Sequence, residues 1–337
     1  MTHLSRPPID NTGEADYSRK MQRIADELKT WNGPVVLISH VDPDGDALGS
    51  SLALKRALHL LGKETQLAMD VPSYLSFLVA PGEVAARVES LPENSLLIVL
   101  DVDIGSRSVG APLTGAALTV NIDHHGSNPR TGDLSCVEPA KAATALMVRD
   151  LIDALGVPWT PDLATPCLTG ILTDTGNFRY SNTDKEVLEA AAFLIDQDVD
   201  YAFLTDRLQW RAKSYFKMLG EVMATVEYPL DGLVALAHLT QGMEERAGKS
   251  DDDSNDYVGL IRYAEGSKVA IFLKEREDAT KISVRTRDGV SAQNICTALG
   301  GGGHVAAAGA KVSGDVETAK AQVLAATEAE LKRLDLL

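Results

Sequence analysis

The stretch VVLISHVDPDGDALGS, residues 35–50, says more about this chain than any other segment. Its opening apolar run, VVLI, predicts a strand, and carboxylates then occupy every second position as Asp42, Asp44 and Asp46. Like charges packed at the end of a strand repel one another and are costly to remove from water, and a bound metal ion is the usual compensation. A solvated Asp/Gly turn is the competing interpretation of these residues taken alone.

Strand-like and helix-like segments alternate through the first half of the chain. Strand patterns occur at 35–39, 65–69, 95–102 and 118–125, and helical patterns at 50–61, 142–155 and 163–172. This alternation predicts an α/β domain with a mainly parallel sheet and helices on both faces. In such sheets, ligands collect at the carboxyl ends of the strands.

The second half of the chain predicts a smaller α/β domain. Strand patterns occur at 232–239, 267–275 and 280–287, a helix is expected at 291–300, and the polar run 249–256 is expected to be a loop. Between the two α/β regions the pattern is predominantly helical. The expected organisation is a mobile arm at 1–16, a first domain at 17–190, a helical linker at 191–227 and a second domain at 228–337.

Composition and charge limit the classes of function. The 337 residues carry a formal net charge of −16, which argues against tight binding of long nucleic acid but allows a short anionic substrate held locally. No apolar stretch approaches the roughly 18 residues of a membrane span, and the N-terminus lacks the apolar core of a signal peptide. Three widely spaced cysteines without a CxxC pair are typical of a reducing compartment, so we expect a cytoplasmic protein without a membrane partner.

Four apolar segments of the first domain end in aspartate or histidine. These ends are His40, Asp101, the run Asp123-His124-His125, and Asp174. Carboxylate and imidazole ligands without thiolates disfavour structural zinc and suit Mn²⁺ or Mg²⁺, with Co²⁺ as a further option. So many donors exceed the needs of one ion, and two ions about 3.5–4 Å apart can clamp the attacking and leaving oxygens of a phosphoryl displacement.

These motifs together resemble a known family. PDGDALGS, the strand end at Asp101, the run Asp123-His124-His125, and GILTDTGNFRYSNT resemble the DHH phosphoesterase superfamily. The C-terminal SVRTR followed by LGGGGHVAAAG resembles its DHHA1 domain. Within the superfamily, size and motif wording are most similar to the nanoRNase (NrnA-type) branch of oligoribonucleases and pAp phosphatases. The resemblance implies that 17–190 is the metal-binding DHH domain and 228–337 the substrate-binding DHHA1 domain.

The resemblance also implies which residues bind metal. The ligands would be His40 and Asp44 for one ion, Asp46, His124 and Asp174 for the other, and Asp101 as the bridge between them. His125 would contact the scissile phosphate or assist the leaving group, so Asp101 and His125 are the implied catalytic residues. Asp42 falls at a position that the family does not reserve for a ligand, and Asp123 is expected to orient the histidines.

Substrate contacts are expected mainly in the second domain. The expected contact residues are Arg285, Gly301, Gly302, Gly303 and His304, together with Arg179 after Asp174 in the first domain. A glycine run lets backbone N–H groups approach a phosphate closely, and an arginine can hold a phosphate with two parallel hydrogen bonds. A helix C-cap followed by a flexible turn explains one or two of these glycines, but not four followed by histidine.

The predicted function is that of a two-metal phosphodiesterase and phosphomonoesterase, with Mn²⁺ as the expected ion. We expect it to degrade short RNA to nucleoside 5′-monophosphates and to remove the 3′-phosphate from pAp, yielding AMP. The helical middle segment offers a surface for a homodimer.

Four alternatives remain open at this point. They are a RecJ-like single-strand DNA exonuclease, which is longer and adds an OB-type domain; a family II inorganic pyrophosphatase, whose C-terminal signature differs; a phosphodiesterase for pApA derived from a cyclic dinucleotide; and a non-catalytic nucleotide-binding regulator. A regulator on a decayed fold would have lost ligands, and this sequence retains all of them.

Overall fold

The chain folds into two units, Met1–Trp210 and Arg211–Leu337. The structure is a computed structural model that describes residues 11–86, 88, 90–105, 114–248, 257–303 and 305–337. The division between the units falls inside the segment 191–227, which the sequence predicts to be a linker. The other domain boundaries stay predictions.

The first unit alternates strands and helices, as its sequence predicts. Its strands are β1 (Val35–Ile38), β2 (Thr65–Ala68), β3 (Val84–Ala85), β4 (Leu96–Leu100), β5 (Leu118–Asp123) and β6 (Leu134–Val137). Its helices are α1 (Asn11–Thr30), α2 (Gly45–Leu60), α3 (Thr144–Leu155), α4 (Pro161–Asp174), α5 (Lys185–Ile195) and α6 (Tyr201–Gln209), with a 3₁₀ helix at Ser73–Leu78. The predicted strands and helices are present, and α1, β3 and β6 are additional to them.

The strand order creates a crevice at the centre of the first sheet. Within the described residues the sheet has six strands in the order β3-β2-β1-β4-β5-β6, and all of them are parallel. The chain therefore winds one way from β1 and the other way from β4. At such a reversal the loops after the two central strands diverge and leave room for a ligand at their carboxyl ends.

The helices that cover this sheet pack mainly on one face. Strand side chains such as Leu37 and Ile98 join a core that includes residues of α1 through α5. The apolar cluster on the other face, which includes Val36, Leu97 and Val99, consists of strand and loop residues among those described. The α/β class with a parallel sheet is confirmed, but helices on both faces are not found there, because the described connections from β2 to β6 contain no α-helix.

Helix α2 begins earlier than predicted, and the reason is a cap. The apolar pattern predicts a start at residue 50, whereas the helix starts at Gly45. The Asp44 carboxylate accepts hydrogen bonds from the backbone N–H groups of Asp46 and Ala47, each at 3.0 Å. Aspartate is a favoured N-cap because it satisfies N–H groups that lack an intrahelical partner. Gly45 is therefore the first helical residue, and Asp46 lies inside the first turn.

Helices α2 and α4 approach closely because each has a glycine at the point where it faces the other helix. A Cβ atom at Gly49 would lie 2.3 Å from the carbonyl oxygen of Pro166, and one at Gly170 would lie 2.7 Å from an Asp46 carboxylate oxygen. The contact thus requires residues without side chains, and it places α4 directly against Asp46.

The second unit is a smaller mixed sheet with helices. Its strands are β7 (Val234–Leu239), β8 (Val269–Glu275), β9 (Ala279–Thr286), β10 (Gly302–Gly303) and β11 (Ala307–Ser313). Its helices are α7 (Lys213–Met223), α8 (Gln241–Ala247), α9 (Tyr257–Ile261), α10 (Ala292–Thr297) and α11 (Val316–Arg333). The strand order is β10-β11-β9-β8-β7, with β7 and β8 parallel and the other pairs antiparallel.

Part of the predicted N-terminal arm is helical. Residues 11–16, which the sequence assigns to a mobile arm, begin helix α1, because its later residues Met21, Ile24 and Leu28 bury an apolar stripe in the core. The rest of that arm, and the loop predicted at 249–256, lie outside the described residues. Within the described ranges, no helix has both the length and the apolar character that crossing a membrane requires.

The α2–α4 contact gives a direct test of packing. Gly49→Ala places a methyl group against the Pro166 carbonyl, and we expect a loss of about 1–3 kcal/mol in the free energy of unfolding. The matched control is Gly220→Ala in α7, where a Cβ atom meets nothing within 4 Å. The control should match the wild type or gain up to about 1 kcal/mol. Denaturant unfolding followed by circular dichroism measures both, and an unchanged Gly49→Ala variant would contradict the close contact.

Candidate metal centre

Aspartates and histidines converge at the carboxyl ends of the central strands. His40 follows β1, Asp101 follows β4, and His124 follows β5. Asp174 is the last residue of α4, which packs against α2 and so reaches the same place. The reversal of strand order between β1 and β4 therefore coincides with the predicted site.

Three overlapping groups of these side chains could each hold a metal ion. In every group the ligand atoms lie within 4.8 Å of one another. The groups are His40, Asp44 and Asp101; Asp46, His124 and Asp174; and Asp101, His124 and His125. The structure thus brings together all the residues that the sequence predicts as ligands, in the same two sets, while the assignment of individual ligands to ions stays a prediction.

Asp101 lies between the two sets and directs one oxygen to each. Its Oδ2 is 3.6 Å from Nε2 of His40, and its Oδ1 is 3.5 Å from Nε2 of His124. Nδ1 of His40 lies 2.8 Å from the carbonyl oxygen of Val41, which aims Nε2 at Asp101. The hydroxyl of Thr144 donates to Oδ1 of Asp101 at 2.9 Å and fixes the rotamer of the carboxylate. This arrangement suits a carboxylate shared by two cations.

Asp46 is held by the N-terminus of a helix from elsewhere in the chain. Its two oxygens accept hydrogen bonds from the backbone N–H groups of Thr144 and Ala145, at 2.6 and 2.8 Å. The residue at the N-cap of α3, Ala143, offers no side-chain acceptor, so Asp46 takes that role. A carboxylate at a helix N-terminus is stabilised by the helix dipole and by charge-assisted hydrogen bonds.

The buried carboxylates of the centre favour a bound cation. Burial raises the pKa of Asp46 to about 7, and the charge of Asp44 adds to the shift. Burial and then the charges of Asp46 and Asp101 raise the pKa of Asp174 to about 10. Burial and then Asp46 also raise the pKa of Asp101 well above its ordinary value. Among the described residues none of these carboxylates forms an ion pair with lysine or arginine, so metal ions fit the site both by charge and by donor type.

The two adjacent histidines have different environments. Burial and the neighbouring His125 lower the pKa of His124, which favours the neutral imidazole that binds metal. A hydrogen bond with Asp123 raises the pKa of His125, whose side chain is 39% exposed. Nδ1 of His125 lies 2.8 Å from Oδ1 of Asp123. His125 is therefore the better placed of the two to hold and release a proton.

A buried asparagine supports the turn that carries Asp101. Asp101 has a φ of +61°, which is uncommon for a residue with a side chain. The amide of Asn121 donates to the carbonyl oxygens of Val99 and Val102, at 3.1 and 2.8 Å, on either side of that turn. Asn121 is fully buried, and the sequence does not single it out as a site residue. These bonds offset the cost of the unusual backbone conformation.

A second asparagine links that turn to the histidines. The amide of Asn128 donates to Oδ1 of Asn121 at 2.9 Å and to Oδ2 of Asp123 at 2.6 Å. Asp123 in turn contacts His125, so one hydrogen-bonded chain runs from the Asp101 turn to His125. The sequence offers one signal for this role: Asn128 lies three residues after His125, within the DHHGSN run.

The remaining predicted site residues are placed as follows. Arg179 is exposed and donates from Nε to the carbonyl oxygen of Gly176, within its own turn. Asp42 is exposed and belongs to none of the three groups. In the second unit, Arg285 is on β9, Gly302 and Gly303 form β10, and Gly301 precedes them. His304 lies outside the described residues.

The fold and this centre correspond to a known family. The family model described as DHH family, N-terminal domain, matches residues 34–171, and the DHHA1 domain model matches residues 234–333. The chain belongs to the DHH family and carries a DHHA1 domain. The resemblance inferred from the motifs is thereby confirmed.

Three individual proteins are similar to this chain in sequence or in structure. The bifunctional oligoribonuclease and PAP phosphatase NrnA of Thermus thermophilus is 53% identical over 97% of this chain and 99% of its own length. The crystal structure of an exopolyphosphatase-related protein from Bacteroides fragilis has a TM-score of 0.83 at 22% identity and covers 94% of this chain and 97% of that chain. RecJ from Thermus thermophilus, in complex with Mn²⁺, has a TM-score of 0.53 at 17% identity, over 98% of this chain but 56% of that chain.

The raised pKa values predict how metal binding depends on pH. A carboxyl group whose pKa is raised by folding stabilises the folded state at pH values below its ordinary pKa of 3.8. This contribution to stability is lost as the pH rises through the pKa that the group has in the folded state. For Asp46 and Asp174 those folded values are about 7 and about 10, so the metal-free protein should lose stability between about pH 4 and 10.

A bound cation keeps these carboxylates ionised and removes the loss. The increase in melting temperature caused by Mn²⁺ should therefore be larger at about pH 8 than at about pH 6. Calorimetry with and without Mn²⁺ measures this increase at both values. An increase that shrinks or stays constant over this interval would contradict the predicted protonation of the empty centre.

Proposed function

We propose that this chain is a metal-dependent phosphoesterase that degrades short oligoribonucleotides to nucleoside 5′-monophosphates and converts pAp to AMP. The observation that carries the proposal is the position of Asp101, whose two oxygens face two separate groups of ligands. The Thermus thermophilus relative is named as a bifunctional oligoribonuclease and PAP phosphatase, and its 53% identity over almost the whole chain supports the choice of substrates.

The centre would hold two divalent ions, with Mn²⁺ as the expected metal. His40 and Asp44 would hold one ion, Asp46, His124 and Asp174 the other, and Asp101 would contact both. Oxygen and imidazole donors without thiolates support Mn²⁺, and Mg²⁺ or Co²⁺ suits the same set less specifically. When bound, such a pair of ions activates water and stabilises both the attacking and the leaving oxygen of an in-line displacement.

The protein's own groups would bind and orient the phosphate. A cavity of about 470 Å³ in the first unit is lined by residues that include His40, Asp44, Asp101, His125 and Asn128. This volume accommodates a phosphate and part of a nucleotide beside Asp101. Groups that are already fixed in place before the reaction lower its barrier more than groups that must first reorganise. The Asn121–Asn128–Asp123 chain provides such fixation.

His125 would handle the proton of the leaving group. With Nδ1 donating to Asp123, Nε2 is the atom that carries the exchangeable proton. Hydrolysis breaks the bond between phosphorus and the leaving ribose oxygen, and that oxygen must gain a proton. An imidazole whose pKa is raised by a buried carboxylate holds this proton more firmly near neutral pH and can deliver it as a general acid.

We assign substrate binding outside the metal centre to the residues expected from the sequence. These are Arg179, Arg285, Gly301, Gly302, Gly303 and His304. Gly303 has a φ of +139°, a conformation that favours glycine and lets the backbone turn where a side chain would be strained. The assignment follows from the chemistry of these groups, which are suited to holding a phosphate.

We also propose that the enzyme prefers short substrates and acts in the cytoplasm. The net charge of −16 supports short rather than long nucleic acids as substrates, since a long polymer would be repelled over more of the surface. The three cysteines are buried and unpaired, which supports a reducing compartment such as the cytoplasm. We also propose assembly as a homodimer through the helical middle segment, 191–227.

A substrate panel tests the proposed function. With Mn²⁺, the protein should hydrolyse pAp and 5′-phosphorylated RNA dinucleotides, and its activity should fall steeply on a 24-nucleotide RNA or DNA. Asp101→Ala should abolish these activities, because both ligand groups lose their shared carboxylate. Release of mononucleotides, followed by chromatography, measures both expectations. Equal activity on the 24-mer would instead favour a RecJ-like exonuclease, and retained activity in Asp101→Ala would overturn the proposed centre.

The neighbouring pair Asp42 and Asp44 offers a matched test of the ligand set. Asp44→Asn keeps an oxygen that can cap α2 but removes a charge from the centre, so Mn²⁺ affinity should fall by about 10–100-fold. Asp42→Asn removes the same charge two residues away, at an exposed position that belongs to no ligand group, and should change affinity less than twofold. Calorimetric titration with Mn²⁺ compares the two variants, and equal losses would contradict the assignment.

A further inference from the structure

One short segment of the first unit supports several ligands of the metal centre at once. Residues 141–145 lie between β6 and the first turn of α3. The backbone N–H of Thr144 donates to Asp46 at 2.6 Å, and its hydroxyl donates to Asp101 at 2.9 Å. Both acceptors are buried, so a shift of this segment would leave a buried carboxylate short of a hydrogen bond, which is costly. The position of the segment therefore affects the geometry of the centre.

The same segment orients His124. The carbonyl oxygen of Lys141 lies 3.3 Å from Nδ1 of His124. A ring that donates through Nδ1 presents Nε2 as its metal-binding atom, and Nε2 lies 3.2 Å from Oδ2 of Asp174. Histidine ligands commonly donate from their second nitrogen to a carbonyl or carboxylate oxygen, and loss of that partner lowers metal affinity by roughly 10–100-fold. The main chain at Lys141 is thus the partner that fixes this ring.

The side chain of Lys141 ties the segment to three helices. Its ammonium lies 3.2 Å from Oδ2 of Asp150 in α3, pairs with Glu186 in α5, and lies 4.6 Å from the centre of the Tyr17 ring in α1. The Tyr17 hydroxyl donates to the same Asp150 oxygen at 2.7 Å. Only 13% of the Lys141 side chain is exposed, so these contacts are less weakened by water than those of a surface ion pair. The ammonium therefore holds in place the carbonyl group that orients His124.

Asn182 links the same segment to Asp174. The side-chain amide of Asn182 donates to the carbonyl oxygen of Ala142 at 3.3 Å and to that of Asp174 at 3.0 Å. Asp174 ends α4, where the carbonyl groups of the last turn lack intrahelical partners, so this hydrogen bond fixes the end of the helix that carries the ligand. Through Asn182, residues 141–145 are connected to a further ligand of the centre.

The two ligand sets differ in their support. They are the His124 site, formed by Asp46, His124 and Asp174, and the His40 site, formed by His40 and Asp44. Among the described residues, the side-chain hydrogen bonds of His40 and Asp44 go to backbone atoms of 41–47, within their own part of the chain. His40 is half-buried and Asp44 is exposed. A displacement of 141–145 should therefore affect the His124 site more than the His40 site.

We propose that Lys141 and Asn182 are positioning residues that set the Mn²⁺ affinity of the His124 site without contacting the ion. Each acts through backbone carbonyl groups, one of which orients a ligand ring while another ends a ligand helix. The proposal rests on the proposed function, because it assumes that the centre holds two divalent ions. Its consequence is that the two sites can be weakened separately, since they share only the carboxylate of Asp101.

Site-resolved Mn²⁺ binding tests the role of Lys141. Lys141→Met keeps the length of the side chain but removes the ammonium, so the affinity of the His124 site should fall by about tenfold or more, whereas the His40 site should stay within about twofold of the wild type. Anomalous diffraction from crystals equilibrated at graded Mn²⁺ concentrations measures the occupancy of each site. At the concentration that half-fills the wild-type His124 site, a tenfold loss leaves it about one-tenth occupied.

A second lysine of the first unit provides the matched control. Lys63 is half-buried, and its ammonium donates to the carbonyl oxygens of Lys29 and Trp31, at 2.7 and 2.6 Å. These carbonyl groups precede β1, at the end of the sheet opposite to the metal centre. Lys63→Met removes the same charge and should leave both occupancies unchanged. Equal losses at the two sites in Lys141→Met, or the same loss in Lys63→Met, would overturn the proposal.

Asn182 supplies an independent arm, at an exposed position where substitution should not prevent folding. Asn182→Ala removes both donated hydrogen bonds and should lower the affinity of the His124 site by about 3–10-fold. In solution, electron paramagnetic resonance at limiting Mn²⁺ should then show less of the coupled ion pair and more of the isolated ion. Ser181→Ala, at the exposed neighbouring position, should match the wild type. If Lys141→Met does not fold, Asn182→Ala decides alone, and an unchanged His124 site in this variant overturns the proposal.

The proposed function is tested separately, by hydrolysis of pAp and RNA dinucleotides by the wild type. A wild type that binds two ions without hydrolysing either substrate would overturn the function, whereas the binding experiments would still test Lys141 and Asn182. A wild type that binds no ion at the His124 site would overturn both the centre and the positioning roles.

Discussion

The constraint on which the rest of the first unit depends is the mutual repulsion of buried carboxylates. Asp46, Asp101 and Asp174 lie within a few ångströms of the same histidine, without a lysine or arginine partner among the described residues. Asp46 and Asp101 are buried, and Asp174 is half-buried. Such a cluster is tolerated only if protons or metal ions neutralise it. The surroundings reduce the cost in part, because Asp46 caps α3 and Thr144 donates to Asp101. The remaining charge is what a pair of divalent ions would compensate.

The fold holds these repelling carboxylates in a defined geometry. A parallel sheet directs the ends of β1, β4 and β5 to one edge, and the reversal of strand order opens space there. Helices α2 and α4 pack closely enough to place Asp46 and Asp174 against that edge. Asn121 and Asn128 then fix the turn at Asp101 and the ring of His125 through fully paired amides. These contacts are made by the chain's own groups, and they orient the ligand side chains at the centre.

Much of this centre can be predicted from the sequence, because an apolar strand and the polar residues that follow it form a local pattern. Apolar runs that lead into Asp101 and His124 predict two strands, although β4 and β5 each end two residues before the predicted limits, 102 and 125. The start of α2 is harder to predict, because the apolar pattern begins only at Leu52. The helix itself starts seven residues earlier, at Gly45, directly after the Asp44 cap. The contacts of Asp46 with the backbone of Thr144 and Ala145 could not be predicted, because any residue supplies an N–H group.

The central claim is that Asp101 is shared by two metal ions. Anomalous diffraction from crystals soaked in Mn²⁺ tests it most directly, because the data locate each ion independently of activity. The account predicts two peaks about 3.5–4 Å apart, one beside His40 and Asp44 and one beside Asp46, His124 and Asp174, with Asp101 between them. A single peak, or two peaks of which one does not contact Asp101, would contradict it.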